Sequence, residues 1–215
     1  FMNIKDYTPY FYVEIPHTWK SRKAEIFVDQ IRKYVPKRFR GTLIKHNVIK
    51  RYRFWEFSDY RQYNFVRLVF NNYFGFKQYE RVIRSRKLYN PILSPRPRYY
   101  KLYESNIEPM IRFMHIKDIK SSGWVQIKEG KYKKYNDKNS PSHCDINVHA
   151  KWSDVEKYDS DHIQKFITAS FDIECTSIDG SFPQAHRDGA KIMQIGTTFS
   201  YYAEGGCFKK HIIAL

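Results

Sequence analysis

The feature that most constrains the fold is a hydrophobic run, Phe166–Phe171, that leads directly into two acidic residues, Asp172 and Glu174. The run is rich in β-branched and aromatic residues and follows a polar segment. This pattern predicts a buried strand entering the sheet of a second domain. Because side chains alternate between the two faces of a strand, we expect both carboxylates on one face and Ile173 and Cys175 packed on the other.

Two carboxylates on one face of a strand repel each other unless positive charge is supplied. A divalent cation removes this conflict, and hard oxygen ligands favour Mg²⁺ or Mn²⁺ over zinc. The spacing alone is a weak signal, since most Asp-x-Glu pairs occupy solvated strand positions. Asp172 and Glu174 are nevertheless the best candidates in the chain for catalysis and metal binding.

Positive charge is concentrated before this run. Residues 166–215 carry four Lys/Arg and five Asp/Glu, whereas the preceding residues carry 34 and 17, which accounts for the net charge of +16. A basic region attracts the phosphate backbone of nucleic acids and binds it without reading sequence. The candidate nucleic-acid contacts lie in the two densest basic segments and are Lys37, Arg38, Arg40, Arg84, Arg86 and Lys87.

Aromatic residues are interleaved with these charges: the chain contains 18 Tyr, 16 Phe and 4 Trp. Exposed rings beside cations could stack on the bases of a single strand. For most of the rings we favour a place in the hydrophobic core instead. The chain has no recognition-helix or zinc-finger pattern, so a sequence-specific reader is not expected.

Hydrophobic periodicity predicts a mixed α/β (α+β) first domain over residues 1–162. We expect Ser105 and Glu108 to form a capping box, with Pro109 in the first turn of the following helix. Residues 131–145 are expected to form a flexible loop. The predicted strands are Tyr10–Ile15, one or two within 39–57, Phe65–Phe70, Trp124–Ile127 and 146–152, and the predicted helices are 24–34, 75–84 and 111–115.

Residues 163–215 are expected to begin a second domain with three consecutive antiparallel strands. The first ends at Cys175, the second covers 191–199, and the third covers 207–215 after a glycine-containing turn. An isolated sheet of this kind would expose apolar surface and an open edge.

The stretch FDIECTSIDGSFPQAHRDGAKIMQIGTTFSYY, which starts at Phe171, resembles the first exonuclease motif of family B DNA polymerases, the group that includes eukaryotic polymerase delta. The similarity extends through 180–183 and Arg187-Asp188 to the strand at 192–196. Segments upstream, among them 8–13, 103–107, 123–125 and 152–155, also resemble delta-type polymerases and occur in the same order.

The resemblance implies a DNA-dependent DNA polymerase with a 3′→5′ proofreading exonuclease. Residues 1–162 would then be its basic N-terminal domain, and 163–215 the first strands of an incomplete RNase H-like exonuclease domain. In that family Asp172 and Glu174 would help to hold two Mg²⁺ or Mn²⁺ ions. The family's later acidic motifs are not found after Glu174, so this chain is not expected to catalyse the reaction alone.

The same resemblance implies a DNA primer-template and the rest of the polymerase chain as partners, together with a sliding clamp or other replication factors. We expect no membrane association, because neither a signal peptide nor a transmembrane run is present. Three cysteines without zinc-like spacing favour an intracellular protein. The expected location is the nucleus or a cytoplasmic viral replication site, and the composition, rich in Lys, Ile, Tyr and Asn, favours a large DNA virus.

Two alternatives remain open at the level of sequence. The chain could be a non-catalytic basic module that binds nucleic acid, which would explain its charge but not its exonuclease-like stretch. It could also be one part of a split polymerase that acts only after assembly. A metal site at His143, Cys144 and His149 is disfavoured, because a fourth ligand is not evident.

Overall fold

The structure is a computed structural model that describes residues 1–53 and 56–214. The chain divides into two compact units, Phe1–Asp159 and Ser160–Leu215, each described here by itself. The domain boundary expected after residue 162, which rests on the family resemblance, stays a prediction. Within the described residues, no helix combines the length and the apolar character that crossing a bilayer requires.

Twelve strands and three α-helices are described, with short 3₁₀ helices at Lys37–Thr42, Asp137–Asn139 and Trp152–Asp154. The helices are α1 (Ser21–Tyr34), α2 (Tyr73–Ser85) and α3 (Pro109–Ile116). The strands are β1 (Met2–Lys5), β2 (Tyr10–Ile15), β3 (Leu43–Tyr52), β4 (Gln62–Phe70), β5 (Leu102–Tyr103), β6 (Trp124–Ile127), β7 (Tyr132–Lys134), β8 (Val148–Lys151), β9 (Val155–Tyr158), β10 (Ile167–Cys175), β11 (Ile192–Tyr201) and β12 (Lys209–Ala214).

The larger part of the first unit is a four-stranded antiparallel sheet with the order β3-β4-β2-β5. In chain order its elements run strand, helix, strand, strand, helix, strand, which is the split βαβ arrangement. Alternate residues of β2 (Phe11, Val13, Ile15) are buried, as period-two patterning predicts. They form one core with the buried residues of α1 and α2.

Helix α1 buries one stripe of its surface. Ala24, Phe27, Val28 and Ile31 are fully buried, and their spacing of three and four residues places them on one face. The basic residues of its last turn suit the negative end of the helix dipole. Pro36 then begins the 3₁₀ helix instead of continuing α1, since proline lacks the required N–H.

Helix α2 packs closely against the 3₁₀ helix that follows α1. The side chain of Asn72 caps α2 by accepting a hydrogen bond from the Gly75 N–H at 2.8 Å. The Tyr79 hydroxyl donates to the Arg40 carbonyl at 2.8 Å, and the Thr42 hydroxyl donates to the Phe39 carbonyl at 2.6 Å. At this contact a side chain on Gly75 would collide with Thr42.

A second, smaller core lies in the same unit. Strand β8 pairs in parallel with β1 and antiparallel with β7, and β6 pairs with β9. Buried Phe113, Ala150 and Val155 form the centre of this core, and Met2 and Ile4 pack against it. The parallel pair joins chain segments that are almost 150 residues apart.

Three predictions for the first unit are wrong in detail. Residues 39–42 are 3₁₀ helix, not strand, and only β3 follows them; Phe54 and Trp55 lie outside the described residues. The expected loop at 131–145 contains β7, because pairing with β8 gives its polar residues backbone partners. The N-cap of α3 is Glu108, not Ser105, whose hydroxyl accepts a hydrogen bond from Arg84.

The second unit is an antiparallel sheet of β10, β11 and β12 in chain order, as the sequence predicts. The last residue of the predicted third strand, Leu215, lies outside the described residues. The prediction that β10 is buried is wrong: Ile167 is 61% exposed, Phe171 69% and Ile173 42%. The physical reason is that residues 160–214 form no helix, so the unit has no second layer to cover either face of the sheet.

We expect Gly75→Ala to lower the free energy of unfolding of the first unit by about 2 kcal/mol or more, the usual size of an overpacking penalty. A Cβ at residue 75 would lie 2.0 Å from Thr42 Oγ1 and 2.4 Å from Thr42 Cβ. The measurement is urea unfolding followed by circular dichroism. Gly41→Ala is the control, because a Cβ there meets nothing within 4 Å. Equal stability of the two variants would contradict the described contact.

Candidate functional site

Regular pairing between β10 and β11 places the two acidic residues on one face of the sheet. Asp172 is opposite Gly196, and Glu174 is opposite Gln194. Directly paired residues of neighbouring strands share a face, so the acidic face also carries these two residues. The intervening Ile173 is paired with Ile195 on the apolar face.

The acidic pair lies where regular pairing ends. The register shifts between Glu174 and Cys175, so that Cys175 pairs with Ile192 and Met193 has no opposite partner. A bulge of this kind bends the strand and changes the direction of nearby side chains. Cys175 is half-buried, whereas Asp172 and Glu174 are exposed.

Both carboxylates are accessible for coordination. The only hydrogen bond described for either one is short-range: Asp172 Oδ1 accepts from the N–H of Ile173 at 2.9 Å. Neither acid forms an ion pair within the described part of the chain. Gly196 contributes no side chain opposite Asp172, and a Cβ built there meets nothing within 4 Å. The face beside the carboxylates is therefore open.

The donor set fits a hard divalent cation in type but is incomplete in number. Carboxylate oxygens are the ligands that Mg²⁺ and Mn²⁺ prefer. Among residues 1–53 and 56–214, however, no cluster of three or more His, Cys, Asp and Glu side chains could hold a metal. Asp172 and Glu174 would thus supply part of a coordination shell.

The loop after β10 contains an acidic residue that the sequence analysis did not single out. The Asp179 carboxylate accepts hydrogen bonds from Ser181 Oγ (2.5 Å), Ser181 N–H (3.0 Å) and Ser177 Oγ (2.9 Å). These bonds, above all the one from the Ser181 hydroxyl, lower the pKa of Asp179 to about 2. The carboxylate is therefore engaged in shaping its own loop, and the Ser-x-Asp-x-Ser spacing is the sequence signal that could have identified it.

Three of the candidate nucleic-acid contacts belong to the 3₁₀ helix at Lys37–Thr42. Lys37 and Arg38 are exposed, and the Arg38 guanidinium lies 4.7 Å from the centre of the Phe39 ring. Arg40 is engaged differently: its Nε and Nη2 donate to the carbonyls of Val35 and Lys33, both at 3.0 Å. It thereby satisfies carbonyls at the end of α1 that lack helical partners.

The other three candidates surround the end of α2. The Arg84 Nη2 donates to Glu80 at 2.8 Å and to Ser105 at 3.0 Å, which engages it within the fold. Arg86 lies over the ring of Tyr34 at 4.9 Å, so the structure brings it to the end of α1. Lys87 lies 5.7 Å from the ring centre of Tyr99. Both cations are exposed.

Aromatic residues of the first unit are mainly structural. Phe11, Phe27 and Phe70 are fully buried in the larger core. The ring of Tyr10 lies between two guanidinium groups, with Arg67 at 3.9 Å and Arg112 at 4.2 Å from its centre. A ring covered in this way has no free face on which a base could stack.

Comparison with known proteins places these features in a family. Residues 100–215 match the family described as DNA polymerase family B, exonuclease domain. A DNA polymerase of Acanthamoeba polyphaga mimivirus is 37% identical over 225 residues, which cover 100% of this chain and 13% of that protein. A DNA polymerase of Phaeocystis pouchetii virus is 28% identical over 229 residues, which cover 98% of this chain and 21% of that protein.

A cellular relative shows the same similarity over a shorter stretch. The DNA polymerase delta catalytic subunit of Arabidopsis thaliana is 32% identical over 120 residues, which cover 54% of this chain and 11% of that protein. The family and the mixed α/β fold predicted from the sequence are thus confirmed, and the match is consistent with an RNase H-like exonuclease. Since the matched region covers more than half of the chain and includes the acidic strand, the chain belongs to the family B DNA polymerases.

Proposed function

We propose that this chain is part of a replicative DNA-dependent DNA polymerase and contains the beginning of its 3′→5′ proofreading exonuclease. Support comes from the family match over residues 100–215 and from relatives named as DNA polymerases over the whole chain. The chain spans 13% and 21% of the length of the two viral relatives, so polymerisation itself is assigned to other parts of the protein. The substrate would be a DNA primer-template.

We propose that Asp172 and Glu174 are ligands of the exonuclease metal ions. The observation that carries this proposal is their exposure side by side on one face of β10, within the region that matches the exonuclease family. Exonuclease domains of this family use divalent metal ions generally, and the oxygen donors here favour two Mg²⁺ or Mn²⁺ ions. When bound, such ions stabilise the attacking water and the leaving oxygen of the scissile phosphate.

The two residues have separate tasks in this proposal. The strand backbone fixes the distance between the carboxylates, so both can contribute oxygen atoms without a change of conformation. Asp172 is further held by the N–H of Ile173, which orients its Oδ1. The open position at Gly196 leaves room for the end of a DNA strand beside the acids. Two carboxylates do not complete the ligand set, and the remaining acids would come from elsewhere in the polymerase.

The remaining partners follow from the same proposal. The rest of the polymerase chain would complete the exonuclease site and supply nucleotide addition. A sliding clamp or other replication factors would provide processivity. The protein would act at an intracellular site of DNA replication, either the nucleus or a cytoplasmic viral replication site.

We also propose that the first unit contributes diffuse affinity for DNA. Of the six basic candidates, Lys37, Arg38, Arg86 and Lys87 are exposed and form no described ion pair, so they are free to contact phosphates. Arg40 and Arg84 are engaged in hydrogen bonds within the fold and would contribute less.

Replacing Asp172 and Glu174 with alanine in the polymerase that contains this chain should abolish removal of a mismatched primer end and leave nucleotide addition largely intact. Metal ligands act mainly in the transition state, so the loss should occur in kcat more than in DNA binding. A primer-degradation assay measures it. The matched control is Glu204→Gln, an exposed acid whose ion pair with Lys165 lies on the surface. Proofreading that survives the double substitution would refute the metal assignment.

The basic surface can be tested with two variants of equal charge change. Lys37→Gln/Arg38→Gln should weaken binding of the 215-residue chain to single-stranded DNA and lower the slope of log affinity against log salt by about 2, one for each lost phosphate contact. Arg40→Gln/Arg84→Gln should change binding less and lower the melting temperature instead, because both side chains stabilise the fold. Fluorescence anisotropy at several salt concentrations and thermal unfolding measure the two effects. Equal losses of affinity in both variants would contradict the distinction.

A further inference from the structure

The small sheet of the first unit presents lysines on one of its faces. Lys5 of β1 is paired with Lys151 of β8, and His149 of β8 is flanked by Asn3 on β1 and Lys133 on β7. Paired residues share a face, so these five side chains belong to one surface. We call Lys5, Lys133 and Lys151 the lysine face.

The pleat directs the lysine face away from the core. The alternate residues of the same strands, Met2, Ile4 and Ala150, pack with Phe113 in the smaller core. Because the apolar residues occupy the inner face, the lysines must lie on the outer face, and all three are exposed.

A cleft of about 500 Å³ opens on this surface. Its charged lining consists of Lys5, Lys131, Lys133 and Lys151 together with Asp6 and Asp154, and His149 also lines it. The cationic side chains outnumber the acidic ones two to one. The cleft lies wholly within the first unit, and the sequence analysis assigned no role to any of these lysines.

The lysines of the cleft lack acidic partners. None of the four ammonium groups forms an ion pair within residues 1–53 and 56–214, whereas Lys157 pairs with Asp118 at 2.6 Å elsewhere in the unit. Like charges directly opposite each other on neighbouring strands destabilise a sheet. The pairing of Lys5 with Lys151 therefore has a cost that no contact in the fold offsets.

A polar atom beside the lysines also lacks a partner. The Nδ1 atom of His149 is buried and forms no hydrogen bond in the described structure. The ring is held at its edge by Tyr135, whose hydroxyl accepts a hydrogen bond from Asn3 at 2.9 Å. Unpaired positive charge and an unsatisfied ring nitrogen together favour an anionic ligand at this cleft.

We propose that the lysine face binds the phosphodiester backbone of a single-stranded nucleic acid. Lysine ammonium groups act as point charges that attract phosphates without reading bases. The three lysines are spread over three neighbouring strands and not gathered around one point, so they suit a chain of phosphates better than one free anion. This surface is separate from the basic residues at the ends of α1 and α2 and from the acidic strand.

The test compares two triple variants of the 215-residue chain with the same loss of charge. Lys5→Gln/Lys133→Gln/Lys151→Gln removes the lysine face. Lys20→Gln/Lys45→Gln/Lys50→Gln removes three exposed lysines of the larger sheet and α1 region. Binding of a fluorescein-labelled single-stranded oligonucleotide is followed by anisotropy at several salt concentrations.

The lysine-face variant should bind about tenfold more weakly, and its salt slope should fall by about 2, the value for three lost contacts to a single strand. The control should lose less than about a third of that effect on a logarithmic scale, as expected for diffuse charge alone. Unchanged affinity in the lysine-face variant, or an equal loss in both variants, would overturn the proposal.

Two further readouts separate binding from folding and one phosphate source from another. The melting temperature of the lysine-face variant should be equal to or higher than that of the native chain, because removing the like charges relieves repulsion. A lower melting temperature together with weaker binding would overturn the proposal in favour of a structural role. Inorganic phosphate should displace the oligonucleotide no better than sulfate does at equal ionic strength. Specific displacement by phosphate would assign the cleft to a free anion instead. Asp172 and Glu174 are unchanged throughout, so either result is independent of the exonuclease assignment.

Discussion

The pairing of β10 with β11 is the constraint on which the site depends. In this register Asp172 and Glu174 share one face, and Phe171 and Ile173 share the other. A shift of one residue would transfer both carboxylates to the apolar face. Backbone hydrogen bonds between the strands thus determine which side of the sheet can hold a metal ion. Side-chain contacts add little, since no residue of this unit between 160 and 214 is buried.

The same alternation of side chains organises the first unit. In β2 it directs Phe11, Val13 and Ile15 into the core beneath the two helices. In the small sheet it directs Met2, Ile4 and Ala150 inward and sets the lysine face outward. One geometric rule therefore separates apolar from charged residues in both units. The charges it exposes have opposite signs, which suits a protein that attracts a phosphate backbone and cleaves it at a metal site.

Local patterns in the sequence were sufficient to predict the regular elements. The strand Tyr10–Ile15 has the predicted bounds, and the predicted helix at 24–34 lies within α1. The three strands of the second unit occur in the predicted order. Features that depend on distant partners were not predictable. The capping box at Ser105 fails because that hydroxyl contacts Arg84 of α2, and β7 forms only because β8 provides its partner.

The candidate sites show the same division. Alternation along a single strand was enough to place Asp172 and Glu174 together, because both belong to β10. It could not distinguish Arg40, which caps α1, from the exposed Lys37 nearby. It could not reveal the lysine face either, since that surface depends on the parallel pairing of β1 with β8 across most of the first unit.

The central claim is that Asp172 and Glu174 jointly coordinate a divalent metal ion. The most direct measurement is an anomalous difference map from crystals of the polymerase that contains this chain, soaked in Mn²⁺. The account predicts a peak about 2.0–2.6 Å from carboxylate oxygens of both residues, as expected for oxygen-bound divalent ions. A map without a peak beside them, at a manganese concentration that supports primer degradation, would contradict it.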